Sequence, residues 1–111
     1  KVMSERSKSF ADFHIAGFKH WDGIFMLSSL KVGQKLELRT EFDNPMDPNA
    51  VAIYLEGTKL GYIPREYNSV IAQLMYFGHE DVFEAFVLGV NPETEPWKQV
   101  RAGVRVRDVR G

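Results

Sequence analysis

Cysteine is absent from this 111-residue sequence. Without thiols the chain can form neither a disulfide framework nor a thiolate zinc site, and the absence fits a reducing compartment. The sequence also lacks an apolar run near the length of about 20 residues that a membrane-spanning helix needs. No signal-peptide core stands at its start. These absences predict an intracellular protein that does not enter a membrane.

An excess of positive charge is missing as well. The chain has 14 Lys and Arg residues against 15 Asp and Glu, which gives a formal net charge of −1 at pH 7. Proteins that hold duplex DNA through many phosphate contacts are usually strongly basic. The charge balance therefore argues against a general nucleic-acid coat protein, but it leaves room for a small basic pocket.

The known signatures of catalysis are also absent. His14, His20 and His79 are scattered and lack the spacing that would place two ligands on one helix face. Neither a Gly-x-Ser-x-Gly elbow nor a phosphate-binding glycine loop occurs. We therefore expect no enzyme active site, no metal site and no cofactor.

The length of the chain fits one domain. The stretch from Lys1 to Asp12 is polar and shows no periodicity, so we expect a disordered or frayed leader there. One folded domain is expected over residues 13–111. Residue 1 is Lys rather than Met, which leads us to expect a fragment of a longer chain.

The stretch from Phe42 to Arg65 carries the densest structural signals. It opens with Asn44-Pro45 and Asp47-Pro48. Each proline fixes its own φ, and Asn and Asp side chains accept hydrogen bonds from nearby backbone N–H groups. The pattern predicts a tightly built turn.

A β-hairpin is predicted directly after this turn. The run Ala50 to Leu55 is apolar on both faces, which is typical of a central strand. Glu56-Gly57 then forms a two-residue turn, with φ > 0 at the glycine. Leu60 to Ile63 returns as the second strand, and Pro64 ends it because proline cannot donate to the strand ladder.

Further strands are predicted on both sides of the hairpin. Lys35 to Thr40 alternates cleanly, and Phe13 to Phe18, Val82 to Val90 and the run from Val100 onward have strand character. Ile24 to Leu30 is apolar but too short to distinguish a helical turn from a strand. We therefore predict a mainly β protein, a small OB-like or SH3-like antiparallel barrel of five or six strands with one helix.

The predicted helix covers Tyr67 to Phe77. Its apolar residues recur at helical spacing on one face, namely Tyr67, Val70, Ile71 and Leu74. Asn68 is expected to cap the first turn and Gly78 to follow the last turn as the C′ residue.

The core is expected to combine this helix with the inward faces of the strands. The residues predicted to be largely buried are Ile15, Leu36, Leu38, Val51, Ile53, Leu60, Ile71, Leu74, Phe86 and Val106. If Leu74 is buried, Leu74→Ala should cost about 2–5 kcal/mol.

The central stretch resembles the HIRAN domain family. The motifs that carry the resemblance are Asn-Pro-Met-Asp at 44–47, Ala50-Val51, Lys-Leu-Gly-Tyr-Ile-Pro-Arg at 59–65, and the helix that follows. Upstream, His14 to Gly23 is similar to the first strand and turn of the family. The resemblance covers Phe13 to Gly78 well. It implies a small β-barrel module, either a bacterial-type HIRAN protein in the cytoplasm or a fragment of a larger intracellular protein.

The resemblance also implies a function, the recognition of single-stranded DNA at its 3′ end in DNA repair or processing. Asp47 matches the family carboxylate that meets the terminal 3′-hydroxyl, and Lys19 matches a basic residue that meets phosphate. His20 or Trp21 would stack on a base. Met46 stands where the family usually has an aromatic residue. The candidate nucleic-acid-binding residues are Lys19, His20, Trp21, Asn44, Met46, Asp47, Tyr62 and Arg65. Family members are joined to helicase, nuclease or ubiquitin-ligase parts, so such proteins are possible fusion partners or associates.

Each candidate residue also has a purely structural interpretation. Asn44 and Asp47 could simply cap a turn, Trp21 could pack on the barrel, and Tyr62 could be a core residue with its hydroxyl at the edge. On that interpretation the domain is a protein-interaction or scaffold barrel that does not bind DNA.

A stripe of arginines, Arg101, Arg105 and Arg107, lies on one face of the last predicted strand. It could track phosphates, but pairing with Glu37 or Glu84 across the sheet is favoured.

Overall fold

The computed structural model describes residues 8–108, which form six β-strands, one α-helix and four 3₁₀ helices. The strands are β1 (Lys8–His14), β2 (Lys35–Thr40), β3 (Val51–Leu55), β4 (Thr58–Tyr62), β5 (Phe83–Val90) and β6 (Val100–Val106), and the helix is α1 (Arg65–Tyr76). The 3₁₀ helices cover Phe18–His20, Asp22–Ser29, Glu80–Val82 and Pro96–Lys98. The prediction of a mainly β antiparallel fold with one main helix is confirmed.

All strand pairs are antiparallel, and the strand order is β1-β6-β5-β2-β3-β4. Strand β2 joins the two halves of this curled sheet. Its first two residues, Lys35 and Leu36, pair with β5, while residues 37–40 pair with β3. The chain therefore bends within β2 and wraps the inward side chains around one core.

The two edges of the sheet meet beyond the end of β1. Ala16 and Tyr62 exchange two backbone hydrogen bonds of 2.9 Å each, so β1 reaches β4 and the barrel closes at that point. The close approach depends on Gly61, which has φ 147°. A Cβ atom there would lie 2.3 Å from the Ala16 carbonyl oxygen, which no side chain could tolerate.

Strand β1 corrects two expectations. It begins at Lys8, so residues 8–12 are paired with β6 and do not belong to a leader. Ala11 and Phe13 face the core, which gives this polar stretch enough apolar contact to be ordered. The predicted strand to Phe18 is wrong at its other end, because the strand stops at His14 and Gly17, with φ 71°, turns the chain into a 3₁₀ helix. The rest of the expected leader and residues 109–111 lie outside the described residues.

The apolar run Ile24 to Leu30, which the sequence left undecided, is helical. It falls mostly within the 3₁₀ helix Asp22–Ser29, which has a kink at Met26. Leu30 follows the helix in an extended conformation and is buried.

The central hairpin is confirmed. Glu56 and Gly57 have φ of 50° and 85° and connect β3 to β4, which is the positive-φ pair that a tight antiparallel hairpin needs. Strand β4 ends at Tyr62, and Pro64 stands at the N-cap of α1.

The helix begins two residues before the predicted start, and Asn68 does not cap it. Asn68 lies inside α1 and is only 3% exposed. The C-terminal end is as predicted. The backbone N–H of Gly78 donates to the Met75 carbonyl (3.1 Å) and that of His79 to the Leu74 carbonyl (2.9 Å), which is the Schellman pattern with Gly78 at C′.

The core prediction is partly wrong. The residues confirmed as buried are Ile15, Leu36, Val51, Ile53, Leu60 and Ile71, while Leu38 is half-buried. Leu74 and Val106 are 37% and 36% exposed. Phe86 is half-buried because Ala85 and Val87 are the residues of β5 that face inward.

The helix face explains the error at Leu74. The residues that α1 turns toward the barrel are Asn68, Ile71 and Ala72, with Tyr67 and Met75 partly buried beside them, and they recur at helical spacing. Because the inward row contains the polar residue Asn68, the neighbouring row through Val70 and Leu74 is the more apolar of the two in the sequence. Val70 is instead 48% exposed.

Two of the three arginines of the stripe, Arg101 and Arg105, lie in β6, whereas Arg107 follows the strand, which ends at Val106. Arg101 forms an ion pair of 2.7 Å with Asp12 of β1, and Arg105 stands opposite Glu84 in the register of β5 and β6. Glu37, the other expected partner, pairs with Arg39 instead (2.9 Å). For Arg101 and Arg105 these positions favour the interpretation as a paired sheet face.

The helices within residues 8–108 are too short or too polar for any of them to cross a lipid bilayer.

A matched pair of truncations on α1 tests which face is buried. Ile71 is fully buried, so Ile71→Ala should lower the free energy of unfolding by about 2–5 kcal/mol. Leu74→Ala should cost much less, since that side chain already contacts solvent. Urea unfolding followed by far-UV circular dichroism measures both. Equal losses would show that the helix is rotated from the orientation described.

A pair of glycine substitutions tests barrel closure. Gly61→Ala should destabilise the fold by more than about 1 kcal/mol, because it combines an unfavourable φ with a backbone clash. Gly33→Ala is the control, since Gly33 has φ 95° but no atom lies within 4 Å of the added Cβ. Thermal unfolding should separate the two variants clearly. If both lose the same stability, strained φ alone explains the effect and the close approach at Ala16 does not.

Candidate functional site

A groove of about 460 Å³ opens where the barrel closes. Its walls come from the turn after β1, the loop before β3, the end of β4 and the first turns of α1. The Ala16–Tyr62 pairing brings the first and third of these together, and Pro64 makes β4 run directly into α1. The position of the groove is therefore a consequence of barrel closure.

The loop from Asn44 to Ala50 is held by hydrogen bonds from its own side chains. Asn44 Oδ1 accepts from the backbone N–H groups of Met46 (2.9 Å) and Asp47 (3.3 Å). Asp47 Oδ1 accepts from the Asn49 N–H (2.9 Å), and the Asp47 carbonyl accepts from the Ala50 N–H (3.0 Å). The structural interpretation of this motif as a capped turn is thus correct, and the same turn forms one wall of the groove.

The Asp47 carboxylate is the most constrained charge in the groove. Its side chain is 19% exposed, Oδ2 accepts a 2.9 Å hydrogen bond from Asn68 Nδ2, and Arg65 Nε lies 3.6 Å from the same oxygen. A carboxylate has about four acceptor positions and, when ionised, no donor. Acceptor capacity therefore remains for a ligand hydroxyl.

Arg65 stands at the rim of the groove, and its side chain is 72% exposed. Nη2 donates to the Met46 carbonyl oxygen (3.0 Å), which fixes the guanidinium beside the loop. A guanidinium has five N–H donors, so most of them remain available to an anionic ligand.

An aromatic wall closes the other side. The rings of Trp21 and Tyr62 meet edge to face with their centroids 5.9 Å apart. The Lys59 ammonium lies 3.8 Å from the Trp21 ring centroid and 4.4 Å from that of Tyr62. These distances are within the range of cation–π attraction.

Glu41 connects this wall to the Asn44 loop. Its Oε2 accepts from Lys59 Nζ (2.7 Å), and its Oε1 accepts from the Tyr62 hydroxyl (2.8 Å) and Asn44 Nδ2 (3.1 Å). Lys59 Nζ also donates to the Tyr62 hydroxyl oxygen (2.7 Å).

The pKa values of this network follow from these contacts. Burial raises the pKa of the Glu41 carboxyl, but hydrogen bonds from Lys59, Tyr62 and Asn44 outweigh it and leave that pKa lowered. Burial lowers the pKa of the Lys59 ammonium, but hydrogen bonds to Glu41 and Tyr62 leave it raised. Glu41 thus adds stability that is lost as the pH falls through its folded-state pKa. Lys59 adds stability that is lost as the pH rises through its own folded-state pKa.

The groove gathers all but one of the residues expected from the sequence. Those that line it are His20, Trp21, Asn44, Met46, Asp47, Tyr62 and Arg65. Lys19 is exposed and does not line the groove, although it precedes His20 in the same 3₁₀ helix. The Met46 side chain is 78% exposed at the edge. The acidic loop at residues 93–95 does not contribute to the lining.

Three residues that sequence reasoning missed are Glu41, Lys59 and Asn68. In a regular strand Lys59 and Tyr62 would face opposite sides. A register shift between Ile53 and Tyr54 leaves Leu60 as an extra residue in β4, so Lys59 and Tyr62 come to the same side. Bulges of this kind leave no reliable signal in the sequence. For Asn68 the sequence predicts only a role as helix cap, whereas in the structure its side chain lines the groove and donates to Asp47.

No group of three or more His, Asp or Glu residues within positions 8–108 has the arrangement of a metal site.

Comparisons with known proteins agree with this description. A protein of known structure from Lactobacillus plantarum has a TM-score of 0.73 and 25% sequence identity, and the match covers 92% of this chain and 97% of that one. The HIRAN domain of human HLTF has a TM-score of 0.64 and 16% identity, over 94% of this chain and 83% of that one. No curated protein gives a significant match.

The family comparison is more specific than these structural likenesses. Residues 8–107 match the model of the HIRAN domain. The match includes the Asn44 loop, the Lys59 to Arg65 run and all six strands. The chain therefore belongs to the HIRAN domain family, a family of DNA-binding modules.

Proposed function

We propose that this domain binds single-stranded DNA and recognises its 3′-hydroxyl end in the groove described above. The observation that carries the proposal is the Asp47 carboxylate, held on the wall of the groove beside the exposed guanidinium of Arg65. The pair offers an acceptor for a hydroxyl and donors for a phosphate within one small cavity.

The Asp47 carboxylate would distinguish a free end from a blocked one. A 3′-hydroxyl donates a hydrogen bond to a carboxylate oxygen, whereas a 3′-phosphate brings negative charge against it. Asp47 is mostly covered by protein and is held by Asn49 and Asn68, so it cannot easily move aside. Low solvent exposure strengthens both the attraction and the repulsion.

Phosphate contacts are assigned to Arg65 and Lys19. Arg65 is fixed at the rim by the Met46 carbonyl oxygen and has free donors for the phosphate nearest the end. Lys19 lies outside the groove, so it would reach a phosphate of a nucleotide farther from the end. Two cations of this kind position the strand without reading its sequence.

Base contacts are assigned to His20, Trp21 and Met46. His20 is exposed on the groove and Trp21 is half-buried there, so either ring can stack on a base. Met46 offers a polarizable thioether where the family usually has a ring. Asn44 and Tyr62 hold the walls through Glu41 and add polar edges.

The charged side chains at the groove are largely paired: Asp47 with Arg65, which line it, and Glu41 with Lys59, which contact Tyr62 of its wall but do not line it. Few phosphates can therefore be engaged, and the affinity should depend only modestly on salt. Family membership further supports a role in DNA repair or processing inside the cell, next to helicase or nuclease partners.

A protein-interaction role is the second candidate. It is favoured by the position of Lys19 outside the groove and by the aromatic side chains that α1 and its neighbours expose. Phe42, Tyr76 and Phe77 are 44%, 66% and 71% exposed, and their rings contact one another. Exposed apolar patches of this kind often mark contacts with other proteins.

The first test measures the preference for a free 3′ end. Fluorescence anisotropy with a short single strand should show tighter binding of the 3′-hydroxyl form than of the 3′-phosphate form. Asp47→Asn keeps the shape of the side chain but removes its charge, so it should remove most of this preference while leaving some affinity. Asp43→Asn is the matched control, because Asp43 is exposed and does not line the groove.

Two results would contradict the proposal. One is equal binding of the two strands by the unmodified domain, which would exclude recognition of the terminal hydroxyl. The other is no detectable binding of any short single strand in dilute salt. That result would leave the protein-interaction role as the better explanation.

The second test counts phosphate contacts. Each contact to a single strand adds about 0.7 to the slope of log affinity against log salt concentration. Arg65→Met and Lys19→Met should each reduce the slope by about that amount and weaken binding of all sequences alike. An unchanged slope in either variant would show that this residue does not contact phosphate.

A further inference from the structure

Lys59 is a lysine whose charge is almost withdrawn from solvent. Its side chain is 14% exposed, and that of its partner Glu41 is 24% exposed. The ammonium donates to Glu41 and Tyr62 and lies over the Trp21 ring. An ammonium has three donors and no acceptor, so these contacts leave little capacity for a phosphate.

The Glu41 carboxylate is likewise mostly covered by protein and hydrogen-bonded through both of its oxygens. One oxygen binds Lys59, and the other binds both Tyr62 and Asn44. A single carboxylate therefore contacts β4 twice and the Asn44 loop once. Through Lys59 it is also coupled to Trp21, on the far wall of the groove.

The contact with Asn44 determines the conformation of the loop. Because Glu41 accepts from Asn44 Nδ2, the carbonyl oxygen of that amide is directed to the N–H groups of Met46 and Asp47. A flipped amide would place a donor against those two donors. Glu41 thereby fixes the backbone that presents Asp47.

The contact of Lys59 with Trp21 fixes the aromatic wall. The indole meets Tyr62 edge to face, and the Lys59 ammonium lies 3.8 Å from its ring centroid. Removing the cation would release the ring from its present position while leaving Trp21 itself intact.

We propose that Glu41 and Lys59 are positioning residues for the groove, which hold Trp21, Tyr62 and Asn44 in their binding geometry without contacting the ligand. This inference rests on the proposed function, in which the ligand of the groove is single-stranded DNA. The two residues act on different parts of recognition. Lys59 orients the ring that meets a base, and Glu41 orients the loop that meets the 3′ end.

The first experiment needs no DNA. Trp21 and Trp97 are the two tryptophans of the chain, so Trp97→Phe leaves Trp21 as the only indole reporter. In that background Lys59→Met should shift the emission of Trp21 and increase its quenching by acrylamide. Lys59→Arg keeps a cation that can pair with Glu41 and lie over an aromatic ring, so its emission should be closer to that of the parent than the emission of Lys59→Met.

Arg39→Met is the matched control in both experiments. Arg39 also forms an ion pair with a carboxylate, at 2.9 Å from Glu37, and lies 3.9 Å from the Tyr54 ring centroid. It does not line the groove. Its removal changes the net charge by the same amount as Lys59→Met but should change neither the Trp21 emission nor DNA binding.

The second experiment measures binding of a 3′-hydroxyl single strand. Lys59→Met and Glu41→Gln should each weaken binding by about tenfold, the order expected for losing one charged hydrogen bond. The salt slope should stay unchanged for Lys59→Met, in contrast to Arg65→Met. Glu41→Gln should in addition reduce the preference for the 3′-hydroxyl over the 3′-phosphate strand.

The outcomes separate this inference from the proposed function. A salt slope lowered by Lys59→Met would make Lys59 a phosphate ligand and overturn the positioning role. Unchanged Trp21 emission would also overturn it, even if the parent domain binds DNA. If Lys59→Met shifts the Trp21 emission but the parent domain binds no DNA, the result would contradict the proposed function and still support the role of Lys59 in orienting Trp21. Circular dichroism checks the fold. If Lys59→Met does not fold, Glu41→Gln still tests the inference, because an unchanged preference for the 3′-hydroxyl strand in that variant would overturn it.

Discussion

The antiparallel contact between Ala16 and Tyr62 is the constraint on which the rest of the structure depends. Two backbone hydrogen bonds join the segment after β1 to the end of β4 there, and only glycine at position 61 allows the chains to approach so closely. This contact also brings the Gly17–Trp21 turn beside the end of β4, where the groove opens.

Charged side chains in and next to the groove occur mainly in pairs. Asp47 is paired with Arg65 on the lining, and Glu41 is paired with Lys59 beside it. Removing one member of the partly buried Glu41–Lys59 pair would leave the other without compensation. The formal net charge of −1 for the whole chain is consistent with this pairing of opposite charges.

The sequence predicted local structure well where side-chain chemistry acts on the adjacent backbone. The Asn44–Asp47 turn, the Glu56-Gly57 hairpin and the Gly78 helix end follow from φ preferences and short-range hydrogen bonds. The sequence was less informative about which face of the helix is buried. Leu74 was assigned to the core because Asn68, a polar residue that points inward to Asp47, concealed the buried row of α1.

The fold class follows from local periodicity in the sequence. The family, and through it most of the residues that line the groove, follow from closely spaced motifs. The placement of Lys19 outside the groove and the network of Glu41 and Lys59 with Tyr62 and Asn44 became visible only in the folded chain. The physical reason is that these placements depend on long-range events. A bulge in β4 reverses the side on which Lys59 lies, and barrel closure sets which turns meet.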